Sequence, residues 1–394
     1  MRRSISALLA GLMLGSALLS ACAPASTATP EVVKETVPVQ QTVVVTQVVQ
    51  PTEAPTAIPG SIQINGAGAT FPLPLYTEWT YAYQYVDPAV AINYQGIGSG
   101  GGKKAIIDGT VDFAGSDSLV SDDEYTQGGD LQMYPAVAGA VVVIYNISGL
   151  EATDPALILD RQTLVDIYNA KITTWNDPAI AALNPDLKDK LPNEPITVVH
   201  RSDGSGTTEI FTKGLTSFSP DWTAGGASSI EWPVDKAGNG VGGKGNPGVA
   251  AAVQNTPNSL GYVELDYALA NKIAYTQLVN KAGTTVTANG DSLLAAMNDF
   301  SDTFTDKLTN TIVDAPGTDS WPIAGYTYYV LHTTSMTDCA KAEKLLQYIQ
   351  WTLTDTAAAK KAADLGYAVL PDAVREQVIA KLSEVTCNGA PALK

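Results

Sequence analysis

Histidine and cysteine are scarce in this chain of 394 residues, which has two histidines and three cysteines. His200 and His332 stand in unrelated contexts, and no cysteine has the spacing of a metal ligand. Ser205 lacks the nucleophile-elbow pattern that a serine hydrolase would show. An exported phosphatase or similar hydrolase needs a metal cluster or an activated nucleophile, and these residues supply neither. We therefore expect no metal, no cofactor and no enzymatic activity.

Basic residues are also few, with 23 lysines and arginines against 40 acidic residues and a formal net charge of -17. We expect no nucleic-acid partner. No apolar run reaches the length of a membrane span. The apolar run over residues 5–19 follows Arg2 and Arg3 and ends in small residues. This pattern predicts a secretory signal peptide over residues 1–21.

The signal ends in LSAC (19–22), which resembles a bacterial lipobox whose cysteine, Cys22, becomes lipidated. The alternative is a plain signal with an incidental cysteine. Residues 22–60 are rich in Thr, Val, Pro and Gln, contain no aromatic residue, and predict a disordered, lipid-anchored tether. We expect an extracytoplasmic protein held at the cell membrane. In that oxidising compartment, Cys339 and Cys387 are predicted to form one disulfide.

Residues 61–394 alternate between strand and helix patterns and exceed the usual length of one domain, which favours two lobes. "SIQING" predicts a strand, and the helix after it places Leu75, Trp79 and Tyr83 on one face. The alternation recurs at "ITVVHR" with "GTTEIFTKGL", and helices predominate from Asp338 onward. The pattern predicts an α/β fold with mostly parallel sheets.

Four short segments at predicted strand-to-helix junctions share Gly, Ser and Thr: NGAGATFP (65–72), GIGSGGG (96–102), AGSDS (114–118) and RSDGSGTT (201–208). Ligands of α/β folds bind at the carboxyl ends of strands, beside helix N-termini, so we expect the four loops to converge on one anion. Arg201 offers a planar fork of donors, and the hydroxyls and glycine-flanked amides offer more. Taken singly, Asp117 is typical of a helix cap, and Arg201 of a surface ion pair with Asp203.

Two glycine-rich segments favour structural interpretations. GIGSGGG contains the glycine spacing of a dinucleotide fingerprint, but one such match is weak and an exported protein has little access to NAD. GNGVGGKG (238–245) has P-loop spacing, but Gly245 stands where a magnesium-binding Ser or Thr is needed. It predicts a flexible surface turn, and Asn246 is predicted to cap the helix that follows.

Seven motifs together resemble one family in identity, order and approximate spacing, from about residue 61 to the end of the chain. They are "GAGATFPLPLY", "INYQGIGSGGG", "DGTVDFAGSD", "RSDGSGTTEIF", "GNPGVAAAVQ", "LGYVEL" and "WPIAGYTYYVL". The family is that of the phosphate-binding proteins of the high-affinity bacterial phosphate ABC transporter. The resemblance implies a two-lobed periplasmic-binding-protein (type II) fold with hinge crossovers. Lobe one is placed at residues 61–136 plus 324–394, and lobe two at residues 137–323.

The resemblance also implies a set of phosphate-binding residues, with Phe71 acting through its backbone N–H. These are Thr70, Phe71, Ser99, Asp117, Arg201, Ser205, Gly206 and Thr207. Asp203 matches the acid that holds the family's arginine in place. Phosphate near neutral pH carries a proton and sulfate does not, so Asp117 is predicted to admit the first anion and reject the second, because a buried unpaired acceptor costs about 1–3 kcal/mol.

The predicted function is therefore the capture of inorganic phosphate by a monomeric solute-binding lipoprotein that delivers it to an ABC permease. One alternative is a binding protein for another oxyanion, such as sulfate, molybdate or a phosphonate. The absence of a proton on sulfate and molybdate argues against those two. Another alternative is a sensory or adhesion module that keeps the fold without transport.

Overall fold

The computed structural model describes residues 60–151 and 154–394. The predicted signal peptide, Cys22 and the predicted tether up to residue 59 lie outside the described residues. Among the helices of the described part, none is long and apolar enough to cross a membrane.

The secondary structure of the described residues alternates between strands and helices along most of the chain. The strands are β1 Ile62–Gly68, β2 Val90–Gly96, β3 Phe113–Ser116, β4 Leu131–Asn146, β5 Ile158–Leu159, β6 Thr197–Arg201, β7 Gly240–Gly243, β8 Ser259–Glu264, β9 Gln277–Val279, β10 Thr285–Val286, β11 Ala324–His332, β12 Ala368–Val369, β13 Thr386–Cys387 and β14 Ala390–Pro391. The helices are α1 Leu73–Val86, α2 Ser99–Ile107, α3 Asp122–Gly128, α4 Arg161–Tyr168, α5 Pro178–Leu183, α6 Gly206–Phe218, α7 Pro233–Ala237, α8 Gly245–Asn255, α9 Leu265–Ala270, α10 Gly290–Asp299, α11 Cys339–Thr354, α12 Thr356–Asp364 and α13 Asp372–Leu382.

One nine-stranded sheet has the order β2-β1-β3-β11-β4-β8-β6-β7, with β12 also paired to β4. At its two ends the strands are parallel, since β1 pairs with β2 and β3, and β6 pairs with β7 and β8. The centre is antiparallel, because β11 pairs with β3 and β4, and β4 pairs with β8. The α/β fold class is confirmed, but the prediction of mostly parallel sheets is wrong at the centre. At the centre, the chain passes along β4 toward the strands β6, β7 and β8 and returns along β11. The strands β4 and β11 therefore run in opposite directions.

The strand β4 belongs to both parts of this sheet. From Leu131 to Ala140 it pairs with β11, and from Val141 to Asn146 it pairs with β8. We call β1, β2, β3, β11, β12 and residues 131–140 the first half-sheet. The second half-sheet comprises residues 141–146 with β6, β7 and β8. The chain therefore passes between the half-sheets at β4 and returns at the start of β11, where the Val141 N–H donates to Ile323 O at 2.9 Å.

Helix α1 covers the first half-sheet with the face that the sequence predicts. Leu75, Trp79 and Tyr83 are buried, as the helical spacing of these apolar residues requires. The Trp79 Nε1–H donates to Ala358 O at 2.9 Å, which satisfies the indole inside the core and joins α1 to α12. Tyr76, next to this face, stacks on Tyr329 of β11 with ring centroids 5.1 Å apart.

The segment GNGVGGKG (238–245) is not the surface turn that its glycines predict. Residues 240–243 form β7, which pairs in parallel with β6, and backbone pairing of this kind needs no side chain. Helix α8 begins at Gly245, so Asn246 is its second residue and does not cap it. The capping prediction is wrong because the Asn246 amide has partners elsewhere.

A disulfide joins Cys339, the first residue of α11, to Cys387 of β13, with the two Cα atoms 5.4 Å apart. It fastens the hairpin of β13 and β14 to the N-terminus of α11. Cross-linking residues this far apart in sequence lowers the entropy of the unfolded chain, so the bond stabilises the C-terminal end of the fold.

Candidate functional site

The loops that follow β1, β2 and β3 contact the loops that follow β6 and β7, so the two half-sheets meet at the carboxyl ends of their parallel strands. The Gly100 N–H donates to Gly204 O at 3.1 Å, which joins two of the four predicted loops directly. The structure places every predicted anion ligand in this meeting region or beside it, and all of them are buried: Thr70, Phe71, Ser99, Asp117, Arg201, Ser205, Gly206 and Thr207.

Asp117 follows β3 and is hydrogen-bonded on both carboxylate oxygens. Thr327 of β11 donates to Oδ1 at 2.8 Å, and Ser99, the first residue of α2, donates to Oδ2 at 3.3 Å. Burial raises the pKa of Asp117 to about 7, although the Thr327 hydrogen bond, the Arg201 charge and the Ser99 hydrogen bond lower it. Asp117 is thus a buried carboxyl group whose pKa lies near 7 and whose two oxygens accept hydrogen bonds.

Arg201 ends β6 and is held by Asp203 two residues later. Its Nε donates to Asp203 Oδ1 at 2.8 Å and its Nη2 donates to Oδ2 at 2.6 Å, which is the bidentate fork typical of arginine and a carboxylate. The Nη1 lies 3.4 Å from Thr207 Oγ1, toward the start of α6. Burial raises the pKa of Asp203, but the hydrogen bonds and charge of Arg201 outweigh it and hold that pKa below its usual value. The contacts with Arg201 therefore favour the carboxylate form of Asp203.

Helix α6 begins at the site because Ser205 caps it. The Ser205 Oγ accepts the Thr208 N–H at 3.0 Å, as an N-cap serine does. The Gly206 N–H donates to Ser99 Oγ at 3.1 Å across the two half-sheets. A Cβ on Gly206 would lie 2.5 Å from Asp117 Cβ, so only glycine lets the helix N-terminus approach the carboxyl group. The amide dipoles of α6 favour negative charge at this end.

Thr70 and Phe71 lie between β1 and α1, and two tyrosines fix their backbone. Tyr267 donates to Thr70 O at 2.6 Å, and Tyr367 donates to Phe71 O at 2.7 Å. The Tyr367 hydroxyl also lies 2.9 Å from Oε2 of Glu264, the last residue of β8. Burial and the charge of Asp266 raise the pKa of Glu264 well above its usual value, because both disfavour the ionised carboxylate.

Two residues whose side chains contact the side chains of the predicted ligands were not predicted from the sequence, namely Asn246 and Thr327. Asn246 Nδ2 donates to Thr70 Oγ1 and to Thr207 Oγ1, both at 3.1 Å. Thr327 is the small, non-aromatic hydroxyl residue of strand β11, whose other residues are apolar or aromatic, and this contrast is the signal that could have identified it. Asn246 had no comparable signal, because an asparagine beside a helix start reads as a cap.

The two histidines take structural positions outside the set of anion donors. His200 is buried, stacks on Trp232 with ring centroids 5.0 Å apart, and places Nε2 2.8 Å from Asp235 Oδ1. His332 ends β11 and places Nδ1 2.6 Å from Asp130 Oδ1. Within the described residues, no group of three or more His, Cys, Asp or Glu is placed to hold a metal ion.

The arrangement is that of a receptor for a small anion. Donors from loops of both half-sheets lie close together, and one buried arginine and one buried carboxyl group lie among them. Two α/β halves joined by a shared strand and meeting over such a site define a two-lobed solute-binding protein.

Comparisons with known proteins agree with this class. Residues 49–356 match the model of the PBP superfamily domain. The phosphate-binding protein PstS of Xylella fastidiosa is 39% identical over 320 residues, covering 81% of this chain and 84% of that protein. The protein of the same name from Methanocaldococcus jannaschii is 37% identical over 331 residues, covering 80% and 84%. A crystal structure of a phosphate-binding protein from Stenotrophomonas maltophilia shares the fold, with a TM-score of 0.61 at 21% identity, covering 84% of this chain and 99% of that one.

This chain belongs to the PBP superfamily, in the family of the PstS phosphate-binding proteins. The membership confirms the family resemblance of the seven motifs and the two-lobed fold.

Proposed function

We propose that this protein captures inorganic phosphate in the cleft between two lobes and delivers it to an ABC permease. The observation that carries this proposal is Asp117, a buried carboxyl group with a pKa of about 7 surrounded by donors. The relatives at 37–39% identity, each named a phosphate-binding protein, support the same anion. The function is binding and not catalysis, because the family of this chain is one of phosphate-binding proteins.

Recognition depends on one hydrogen shared between Asp117 and the anion. Phosphate at neutral pH carries a proton that the carboxylate accepts, whereas sulfate carries none and would face Asp117 with acceptors alone. An unpaired buried acceptor costs about 1–3 kcal/mol, and more between two negative charges. Asp117 therefore selects against fully ionised oxyanions.

Arg201 and the surrounding hydroxyls and amides supply the attraction. The guanidinium is fixed by Asp203, so little side-chain entropy is lost when Nη1 and its neighbours bind the anion. We assign Thr70, Phe71, Ser99, Ser205, Gly206 and Thr207 to the remaining oxygen lone pairs. On binding, the Ser99 hydroxyl turns its hydrogen from Asp117 to phosphate, and the Gly206 N–H turns from Ser99 Oγ to phosphate.

The test is calorimetric titration of the purified protein with phosphate, sulfate, molybdate and a small phosphonate. Phosphate should bind at least about a hundredfold more tightly than sulfate, as a free-energy difference near 3 kcal/mol implies. Tighter binding of sulfate, molybdate or the phosphonate than of phosphate would replace this proposal by the corresponding alternative.

Closure and delivery follow from the division into lobes. We propose lobe one at residues 61–136 plus 324–394 and lobe two at residues 137–323. The change of partner along β4 and the return at β11 support hinge crossovers near these boundaries. Closure presents a continuous surface to the permease. Reconstitution with the permease in liposomes should give phosphate uptake that depends on this protein; a sensory or adhesion module would give none.

We also propose that residues 1–21 are removed, that Cys22 is lipidated, and that residues 22–60 tether a monomer outside the cytoplasm. The disulfide between Cys339 and Cys387 supports an oxidising compartment. Labelling of cells with a palmitate analogue should mark the protein, and Cys22→Ser should abolish the label. A label that persists in this variant would contradict the anchor.

A further inference from the structure

We infer that Asn246 is a specificity-determining positioning residue of the cleft, because it forces the hydroxyls of Thr70 and Thr207 to act as donors toward the anion. This inference rests on the proposed function and adds a residue to the recognition device. Asn246 lies in helix α8, which follows β7 of the second half-sheet, and it is completely buried, while Thr70 lies in the loop that follows β1 of the first half-sheet.

The orientation of the Asn246 amide is fixed by the backbone. The Glu264 N–H donates to Asn246 Oδ1 at 3.3 Å, and a backbone N–H can only donate. The oxygen of the amide therefore faces Glu264, and Nδ2 faces the cleft. An amide nitrogen carries two hydrogens and has no acceptor capacity, so whatever Nδ2 contacts must accept.

Both Thr70 and Thr207 have their lone pairs occupied by donors. Thr70 Oγ1 accepts from the Asn246 N at 3.0 Å and from Asn246 Nδ2 at 3.1 Å. Thr207 Oγ1 accepts from the same Nδ2 at 3.1 Å and from Arg201 Nη1 at 3.4 Å. A hydroxyl has two acceptor lone pairs and one hydrogen, so each threonine has only its O–H left to offer.

The consequence is a fixed polarity of the cleft wall. A threonine hydroxyl that could rotate would accept a hydrogen bond from a protonated anion as readily as it would donate one to an unprotonated anion. Such a hydroxyl would reduce the selectivity of the cleft between the two anions. With Asn246 in place, Thr70 and Thr207 donate, and Asp117 is left to accept the proton of phosphate. The asparagine thus acts through the two hydroxyls without touching the anion.

The decisive variant is Asn246→Asp, which keeps the size and the bond to Glu264 but turns the donor into an acceptor. The hydroxyls of Thr70 and Thr207 then rotate to donate to the new carboxylate. Phosphate faces the lone pairs of both hydroxyl oxygens and an added negative charge nearby. We expect the dissociation constant at about pH 8 to rise at least about a hundredfold. Binding should recover as the pH falls, and should take up about one proton more than binding to the parent, because the introduced carboxyl group donates only in its protonated form.

Asn246→Ala is the second variant, in case the acid disturbs folding. It removes the Nδ2 bonds but keeps the backbone bond to Thr70, so we expect about a tenfold loss of phosphate affinity and the same proton uptake as in the parent. The matched control is Asn184→Asp. Asn184 is buried, its Oδ1 accepts the Ile158 N–H, and its Nδ2 donates to two carbonyls, Ile158 O and Ile180 O, away from the cleft. This control should lower thermal stability and leave phosphate affinity and proton uptake at the parent values.

The measurement is calorimetry with phosphate in buffers of different ionisation enthalpy, together with thermal unfolding of each variant. Parent affinity in both Asn246 variants would overturn the inference, and so would equal loss and equal proton uptake in Asn184→Asp. The parent protein is titrated first. If it binds no phosphate, the proposed function fails and the inference fails with it, whereas parent binding with unaffected Asn246 variants refutes the inference alone.

Discussion

Asp203 binds Arg201 with both carboxylate oxygens, and its Oδ1 also accepts the Gly245 N–H at 3.0 Å. One carboxylate thus joins the end of β6 to the start of α8, so that the arginine is held by two elements of the fold. An arginine fixed in this way is ready to bind an anion without reordering.

Substitutions in the Arg201–Asp203 pair should weaken phosphate binding, and the loss should be larger when more of the guanidinium's charge and hydrogen bonds is removed. Arg201→Ala should abolish most binding, and Arg201→Lys should recover little, because lysine keeps the charge but not the planar fork. Asp203→Asn should raise the dissociation constant at least about tenfold, since a hydrogen bond to a charged group contributes about 1.5–3 kcal/mol. Calorimetry with phosphate measures all three.

Asp314→Asn is the control for this series, because Asp314 forms an ion pair with Arg161 outside the cleft. The distance from Arg161 Nη2 to Asp314 Oδ2 is 2.7 Å. It should change stability and leave phosphate affinity unaltered. Micromolar phosphate affinity in Arg201→Ala would remove Arg201 from the site.

Asp117→Asn should weaken discrimination against sulfate while keeping much of the phosphate affinity. The amide still places an oxygen toward a protonated guest, and its N–H₂ now donates to an unprotonated one. Competition between the two anions by calorimetry gives the selectivity directly. Selectivity equal to that of the parent protein would contradict the role assigned to Asp117.

The selectivity of the parent protein should itself depend on pH. The pKa of Asp117 is raised to about 7, so the carboxyl group gains its proton as the pH falls through that value and then donates to sulfate. Sulfate binding should therefore strengthen below about pH 7. Thr327→Val removes a hydrogen bond that lowers this pKa, so its sulfate binding should begin at a higher pH. Sulfate affinity that does not vary with pH would disprove this account.

Stability without phosphate should fall as the pH rises from about 5 to about 8. Burial raises the pKa of Asp117 to about 7, that of Asp266 to about 6 and that of Glu264 well above its usual value. A carboxyl group whose pKa is raised in the folded state stabilises the protein below its unfolded pKa and loses that effect as the pH passes the folded pKa. Thermal unfolding in phosphate-free buffer measures the trend.

Glu264→Gln should reduce this pH dependence and raise the unfolding temperature at about pH 8, because the amide needs no proton to remain neutral. The exposed Glu376→Gln serves as the control and should leave both unchanged. An unaltered pH dependence in Glu264→Gln would mean that Glu264 does not titrate in this range.

Removal of the disulfide should destabilise the protein without affecting the cleft. Cys339 and Cys387 are 48 residues apart in sequence, for which the loop-entropy relation gives about 4 kcal/mol. We expect the double variant Cys339→Ser, Cys387→Ser to lose about 2–4 kcal/mol of unfolding free energy and to bind phosphate like the parent. Chemical denaturation with and without reductant measures the loss, and the variant should no longer respond to reductant.

Much of the fold could be read from local patterns in the sequence. The buried face of α1, with Leu75, Trp79 and Tyr83, follows from helical spacing, because burial of one face depends on residues a few positions apart. The four glycine- and hydroxyl-rich loops were likewise recognisable by their composition at strand ends. The mixed centre of the sheet was not, since the direction of β4 relative to β11 depends on where the chain crosses between the halves.

The sequence by itself determined the chemistry that is available: a single arginine, an acid and a set of small donors carried by loops that begin helices. Only the tertiary structure decided which atoms give hydrogens and which accept them. Thr327 reaches Asp117 across 210 residues of chain, and Asn246 reaches Thr70 across 176. Hydrogen-bond polarity is a property of groups in contact, and contacts between residues so far apart in sequence exist only after both halves of the sheet have folded and met.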